Sequence, residues 1–323
     1  MAGGVRVGLL GAAKIAPLVI ISRAQANPDF SVVAVAARDS RRAMAYAAKH
    51  NIPDVAEDYA ALIARDDIDL IYHALPPSAH AHWTIAALDA GKHVLCEKPF
   101  AMNATEARAM VAAAERNGRH LIEAFHYRFH NVMARAIEII RSGELGKLVE
   151  AEGLFDGVVA YDPEQLRWLP DQGGGALMDQ GCYLIHGLRT LSGSEPRVVR
   201  ASATMEHGVD AAIKADLMFD NGMKAHIATR MTAKDFRANL VIRGDKGSMR
   251  ISNPFAPQLG CKFTVTVDGV ARDEPVSGPS TYAAQFAHVA DVLLRGAKPN
   301  TGGADAIANM AVIDAIYAAA GVR

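Results

Sequence analysis

The first 125 residues of this chain alternate short apolar runs with helix-patterned segments, and that alternation constrains the fold more than any other feature. Residues 5–10, 68–75, 93–96 and 120–125 read as short strands, and 30–37 is a continuous apolar run of the kind found in parallel strands covered on both faces. Helical patterns fill the intervals at 14–26, 41–50, 79–90 and 105–117, and Ser40 is placed to cap the second of them. Strand followed by helix, repeated, predicts a doubly wound parallel sheet with a ligand crevice at the carboxyl ends of its strands.

After about residue 148 the pattern changes. Strand-like segments at 149–159, 198–206, 211–219, 223–231, 236–243 and 263–267 follow with few helices between them. Asn221-Gly222 and Asp268-Gly269 are hairpin signals. A second, α+β domain built on an open, mostly antiparallel sheet is expected, with helices at 132–141, after the triple glycine, at 282–295 and at 304–320. At 323 residues the chain is long for one core. The expected division is 1–128 for a dinucleotide-binding domain and 129–323 for a substrate-binding domain.

Three motifs carry chemistry. The first strand ends in the turn Gly11-Ala12-Ala13-Lys14-Ile15-Ala16. Gly11 suits the tight approach that aims helix amides at a pyrophosphate, although Ala13 and Ala16 stand where further glycines are usual. The second strand ends in Ala36-Ala37-Arg38-Asp39-Ser40-Arg41-Arg42, so an arginine follows the position where an acid would hold ribose hydroxyls. A guanidinium at Arg38 favours a 2′-phosphate, hence NADP, while Asp39 leaves NAD as the second option. Finally, Glu97-Lys98-Pro99 closes the fourth strand, with the proline a candidate for a cis bond, and Gly173 to Tyr183 brings a later Asp179-x-x-x-Tyr183. Read locally, Lys98 is either a cation at the edge of the cofactor crevice or a solvated strand end.

These motifs, with Glu123-Ala124-Phe125-His126-Tyr127-Arg128-Phe129-His130 and Arg167-Trp168, arrive in an order that resembles the glucose-fructose oxidoreductase/inositol dehydrogenase/MocA family over essentially the whole chain. The branch it resembles contains dimeric dihydrodiol dehydrogenases and NADP-dependent xylose dehydrogenases. The resemblance implies a Rossmann domain, and a C-terminal sheet used for a homodimer or tetramer. It implies that Leu75, Pro76 and His80 form a nucleotide-contacting turn and that Glu97 and Lys98 lie beside the nicotinamide. It further implies that Arg128 approaches the cofactor and that Asp179 and Tyr183 form the catalytic pair. His186 and His126 depart from commoner residues of the family.

The expected activity is NADP(H)-dependent hydride transfer to or from a CH–OH group of a sugar, cyclitol or dihydrodiol. Tyr183 is expected to exchange the proton. Lys98 would lower the phenol's pKa from its usual value near 10, and Asp179 would position the substrate or Lys98. Arg167, Trp168, Asp179 and His186 are the candidate substrate contacts; Trp168 either stacks on a sugar ring or packs. Alternatives are a catalytically idle regulator of the same fold, or an enzyme that keeps NADP and recycles it between two sugars. The sequence begins almost directly at the first strand, without the N-terminal arm of glucose-fructose oxidoreductase, which weighs against recycling.

Composition narrows the rest. A net charge of -1 gives no broad basic field for nucleic acid. Three cysteines without Cys-x-x-Cys spacing argue against a disulfide scaffold or structural zinc. The pairs His80/His82 and His126/His130 lack further ligands, so no metal is expected. No apolar run approaches a membrane span, and a cytoplasmic protein is the expectation.

Overall fold

The computed structural model describes residues 4–323. The described residues divide into two compact units, one of residues 4–125 with 285–307, the other of 126–284 with 308–323.

The first unit holds six strands: β1 (Val5–Leu10), β2 (Phe30–Ala36), β3 (Asp54–Val55), β4 (Leu70–His73), β5 (His93–Cys96) and β6 (Leu121–Glu123). All pair in parallel, in the order β3-β2-β1-β4-β5-β6. The order reverses at β1, which puts the ends of β1 and β4 side by side where a crevice opens. Val7, Leu9, Val35, Leu70, Ile71, Val94 and Leu95 are buried, as continuous apolar strands covered by helices require. Between the strands run α1 (Ser22–Gln25), α2 (Ser40–His50), α3 (Tyr59–Ile63), α4 (Pro77–Asp89) and α5 (Ala104–Asn117). The helix expected over 14–26 begins as a π-helical turn, Pro17–Ile21, with the proline at its first position, where no donor is needed. The cap of α2 is Asp39 rather than Ser40: its carboxylate accepts the amides of Arg41 (2.9 Å) and Arg42 (3.3 Å).

The second unit carries an eight-stranded sheet, mostly antiparallel. Its strands are β7 (Leu148–Val158), β8 (Pro196–Glu206), β9 (Val209–Phe219), β10 (Lys224–Arg230), β11 (Thr232–Gly244), β12 (Gly247–Ser252), β13 (Lys262–Val267) and β14 (Val270–Asp273). They lie in the order β14-β13-β12-β11-β7-β10-β9-β8, and only β7 and β10 run parallel. The two expected hairpin turns join β9 to β10 and β13 to β14, the latter with Asp268 and Gly269 both at positive φ. The sequence reading missed β12 and β14. β14 is exposed throughout, so it offers no burial pattern to read. Helices α6 (Asn131–Arg141), α7 (Cys182–Ser192), α8 (Thr281–Arg295) and α9 (Gly303–Ala319) complete the chain, α7 lying on β7 at Gly153.

A single cut near residue 128 was expected, but residues 285–307 return to the first unit. The cause is packing. Phe286 sits against Phe30 with ring centroids 4.7 Å apart, and the Thr301 hydroxyl donates to the Glu123 carbonyl at 2.7 Å.

Candidate functional site

The nucleotide-side cluster belongs to the first unit. Gly11, at φ +93°, donates its amide to the Ala36 carbonyl at 2.8 Å. A Cβ there would stand 2.8 Å from Leu75 Cδ2, so glycine is what lets the turn after β1 meet the turn after β4. Helix α2 braces the same turn from the other side: Arg42 donates to the Ala12 carbonyl (2.9 Å) and Tyr46 to that of Ala13 (2.8 Å). Burial pushes the Tyr46 phenol up to about 12, so it stays a donor. Lys14 is exposed and Ile15 half-buried on the turn. Arg38 projects into solvent at the end of β2, Ala37 is buried, and Asp39 is committed to its cap.

His80 is fully buried. Its Nε2 lies 2.8 Å from the Leu75 carbonyl and its Nδ1 2.9 Å from that of Pro99. It is a strut between the Leu75-Pro76 turn and the Lys98-Pro99 turn, and burial holds its pKa below the usual histidine range. The Lys98-Pro99 bond is cis. Glu97 accepts the Tyr72 hydroxyl at 2.8 Å, and its amide donates to the His73 carbonyl at 3.0 Å. Burial raises the Glu97 carboxyl, opposed by the Tyr72 bond and by the Lys98 charge. Lys98 itself is partly exposed.

The second cluster belongs to the other unit. The three glycines let residues 173–175 fold tightly over the 3-10 turn Leu166–Trp168: a Cβ on Gly174 would lie 2.7 Å from the Arg167 carbonyl, and the Gly175 amide donates to that carbonyl at 3.0 Å. Arg167 thereby reaches Asp179, its Nε donating to Oδ2 at 2.6 Å. The Asp179 charge raises the guanidinium's pKa against the opposing effect of burial, with a smaller pull from Tyr183. That pair follows from a π-helical turn, Leu177–Gly181, running into α7.

Tyr183 is 7% exposed and ringed by Tyr127, Phe155 and Phe255, with centroids 5.1–5.9 Å away. Its hydroxyl lies 3.3 Å from His126 Nε2, and His126 Nδ1 lies 2.8 Å from the Thr281 hydroxyl. Sequence reasoning missed this chain, because His126 and Thr281 are 155 positions apart. Two of the expected substrate contacts, Trp168 and His186, are buried. Trp168 is 3% exposed, packs with Ala176, Val209, Ala211 and Met231, and donates its indole N–H to the Ala160 carbonyl at 3.0 Å. His186 is 1% exposed and shares a 2.5 Å hydrogen bond with the Tyr127 hydroxyl through Nδ1. Arg128 lies partly exposed on the 3-10 turn His126–Phe129, and His130 caps α6.

Among the described residues no set of three His, Cys, Asp or Glu side chains is placed to hold a metal. No described helix is long and apolar enough to cross a membrane.

Comparison with known proteins covers the whole chain. Residues 5–125 match the Gfo/Idh/MocA oxidoreductase family with an NAD-binding Rossmann fold, and residues 133–250 match the C-terminal domain of that family. A D-xylose 1-dehydrogenase (NADP(+)) of Haloferax volcanii is 33% identical over 97% of this chain and 96% of its own length. A trans-1,2-dihydrobenzene-1,2-diol dehydrogenase of Mus musculus is 33% identical over 72% of this chain and 69% of its own. Among solved structures, an aldose-aldose oxidoreductase from Caulobacter crescentus superposes with a TM-score of 0.90 at 29% identity, covering 98% of both chains. A 3-ketoreductase from Actinomadura kijaniata, in complex with NADP, reaches 0.89 at 27% identity over 98% of both chains. A parallel sheet with its glycine turn at the strand reversal, a mostly antiparallel sheet, a helical segment carrying Asp179 and Tyr183, and matches to both family domains make this chain a member of the Gfo/Idh/MocA oxidoreductase family.

Proposed function

We propose that this enzyme is an NADP(H)-dependent dehydrogenase or reductase that moves hydride between the nicotinamide and a CH–OH or carbonyl carbon of a sugar, cyclitol or dihydrodiol. The observation that carries the proposal is the Asp179/Tyr183 pair, in which Arg167 holds the partly exposed Asp179 and Tyr183 is buried among aromatic rings. It gives one phenolic proton donor or acceptor in a water-poor setting beside one carboxylate. The likeness to a D-xylose dehydrogenase over nearly the full length of both chains supports a polyhydroxylated substrate.

The residues present fit the cofactor. Gly11, at φ +93°, closes the turn after β1 tightly against Leu75, and Arg38 is exposed at the end of β2 with alanine at position 37. Arg38 is assigned to the 2′-phosphate, and the turn Gly11 to Ile15 to the pyrophosphate. Leu75, Pro76 and Arg128 are assigned to the rest of the nucleotide. Bound NADP would supply the hydride acceptor. Tyr183 takes the hydroxyl proton in oxidation and returns it in reduction. Lys98 is assigned to the oxyanion, and Asp179 and Arg167 are assigned to substrate hydroxyls.

A panel of aldoses, cyclitols and dihydrodiols with NADP and with NAD, followed by absorbance of the reduced nicotinamide, tests this. Turnover with at least one class and a preference for NADP is expected. No turnover with any class would leave the chain a nucleotide binder without this chemistry. A second arrangement, in which one nucleotide is retained and recycled between two sugars, draws support from the likeness to an aldose-aldose oxidoreductase. Stoichiometric NADP surviving gel filtration would favour it. A C-terminal sheet contact between copies of the chain is part of the proposal, and sedimentation reads it directly.

A further inference from the structure

Resting on the assignment of Tyr183 as the acid/base, we propose that His126 is its proton-relay partner and that Thr281 fixes the tautomer of His126. The three polar groups form a line within the second unit. Tyr183 Oη lies 3.3 Å from His126 Nε2, and His126 Nδ1 lies 2.8 Å from Thr281 Oγ1. Tyr183 and His126 are nearly buried at 7% and 8% exposure, and Thr281 is fully buried. A buried neutral imidazole has one donor and one acceptor nitrogen, and the bond made at one nitrogen decides the role of the other. With Nδ1–H donated to Thr281 Oγ1, the bare Nε2 points at the phenol and can accept its proton.

Other aromatic and charged groups surround His126 and Tyr183. Tyr282 packs ring on ring at 4.3 Å. Tyr127 is engaged with His186 Nδ1, and Arg167 is engaged with Asp179.

In the oxidation direction the Tyr183 O–H bond breaks and an N–H bond forms at His126 Nε2, leaving a phenolate beside an imidazolium. The substrate hydroxyl then gives its proton to the phenolate as the carbinol C–H bond breaks, and bound NADP⁺, as the oxidant, would take up that electron pair as hydride. His126 finally releases the extra proton to water, so each turnover yields one carbonyl, one reduced nucleotide and one proton. A phenol titrating near 10 needs such a partner at neutral pH. His126 is a positioning and relay residue: it acts through Tyr183 and need not touch the substrate.

Two measurements test the relay, and the first needs no turnover. Nitrogen-15 NMR of the histidine side chains, with His126 assigned by comparison with His126→Gln, should show Nδ1 protonated and Nε2 bare in the wild type at neutral pH. Thr281→Val should mix or invert the tautomers. An Nε2–H tautomer in the wild type, or an unchanged tautomer in Thr281→Val, would overturn the inference even in a protein that turns over no sugar. For an active enzyme, His126→Ala should lower kcat by roughly 10²-fold with KM and NADP affinity within a few-fold, and free imidazole should restore part of the loss. An unchanged kcat, or a loss that imidazole leaves in place while Thr281→Val is wild-type, counts against the relay. Failure of the relay with intact dependence on Tyr183 leaves the proposed function standing.

Discussion

Arg38 separates two nucleotides that differ by one phosphate. It stands exposed after β2, and the neighbouring acid that would favour a ribose hydroxyl is spent on the first turn of α2. Arg38→Ala should weaken NADP binding by about 10- to 100-fold, the worth of one charge-assisted contact of ~1.5–3 kcal/mol, and leave NAD affinity alone. Calorimetric titration with both nucleotides reads the difference, and an equal loss for the two would refute the phosphate assignment. Lys98→Ala should reduce kcat by roughly 10²–10³-fold, the scale of a lost oxyanion donor, with nucleotide affinity within a few-fold. A variant that loses both together would place Lys98 in binding rather than in chemistry. The identities of these two residues were legible because each ends a strand with a clear apolar pattern. The fate of Trp168 was not. Its indole is buried by Val209 and Ala211, some forty positions downstream, and no local spacing announces that contact.

The two tight turns that present the functional residues respond differently to a methyl group and to pH. At Gly11 the added Cβ meets Leu75 Cδ2 at 2.8 Å on a backbone at φ +93°. Gly11→Ala should therefore cost about 1–3 kcal/mol of strain and appear as a lower melting temperature together with weakened nucleotide binding. At the end of the triple glycine, Asp210 accepts the Leu177 amide (2.8 Å) and the Tyr317 hydroxyl (2.9 Å). Burial outweighs both bonds and pushes its carboxyl up to about 6. An unfolded aspartate titrates near 3.9, so the folded state holds this proton more tightly. Its contribution to stability is fully present below about pH 4 and is lost as pH rises through about 6, a change on the order of 2–3 kcal/mol. The melting temperature of the wild type minus that of Asp210→Asn should fall over this window and be flat above pH 7. A constant difference would show that Asp210 is already ionised in the fold at pH 4. Both turns were visible as glycine motifs, but Asp210 was not, because it reaches the loop from β9 across 33 positions.

At the scale of the whole molecule, the alternation of strand and helix dictated the first unit, and hairpin signals with apolar alternation dictated most of the second. The return of residues 285–307 was hidden, since an amphipathic helix pattern at 282–295 does not say which core receives its apolar face. Phe286→Ala tests that return. Emptying the space beside Phe30 should destabilise the first unit by about 3–5 kcal/mol, seen as early unfolding of the nucleotide-binding transition in calorimetry. Loss of the other transition instead would show that the segment belongs with the second unit. The likeness to relatives over both family domains ties the two units to one activity, and that activity is proposed to turn on the phenol of Tyr183. The direct measurement is turnover of Tyr183→Phe on the best substrate of the panel, beside its dissociation constant for NADPH. The account predicts a kcat lower by at least about 10²-fold with NADPH affinity within about two-fold, whereas wild-type turnover by Tyr183→Phe would contradict it.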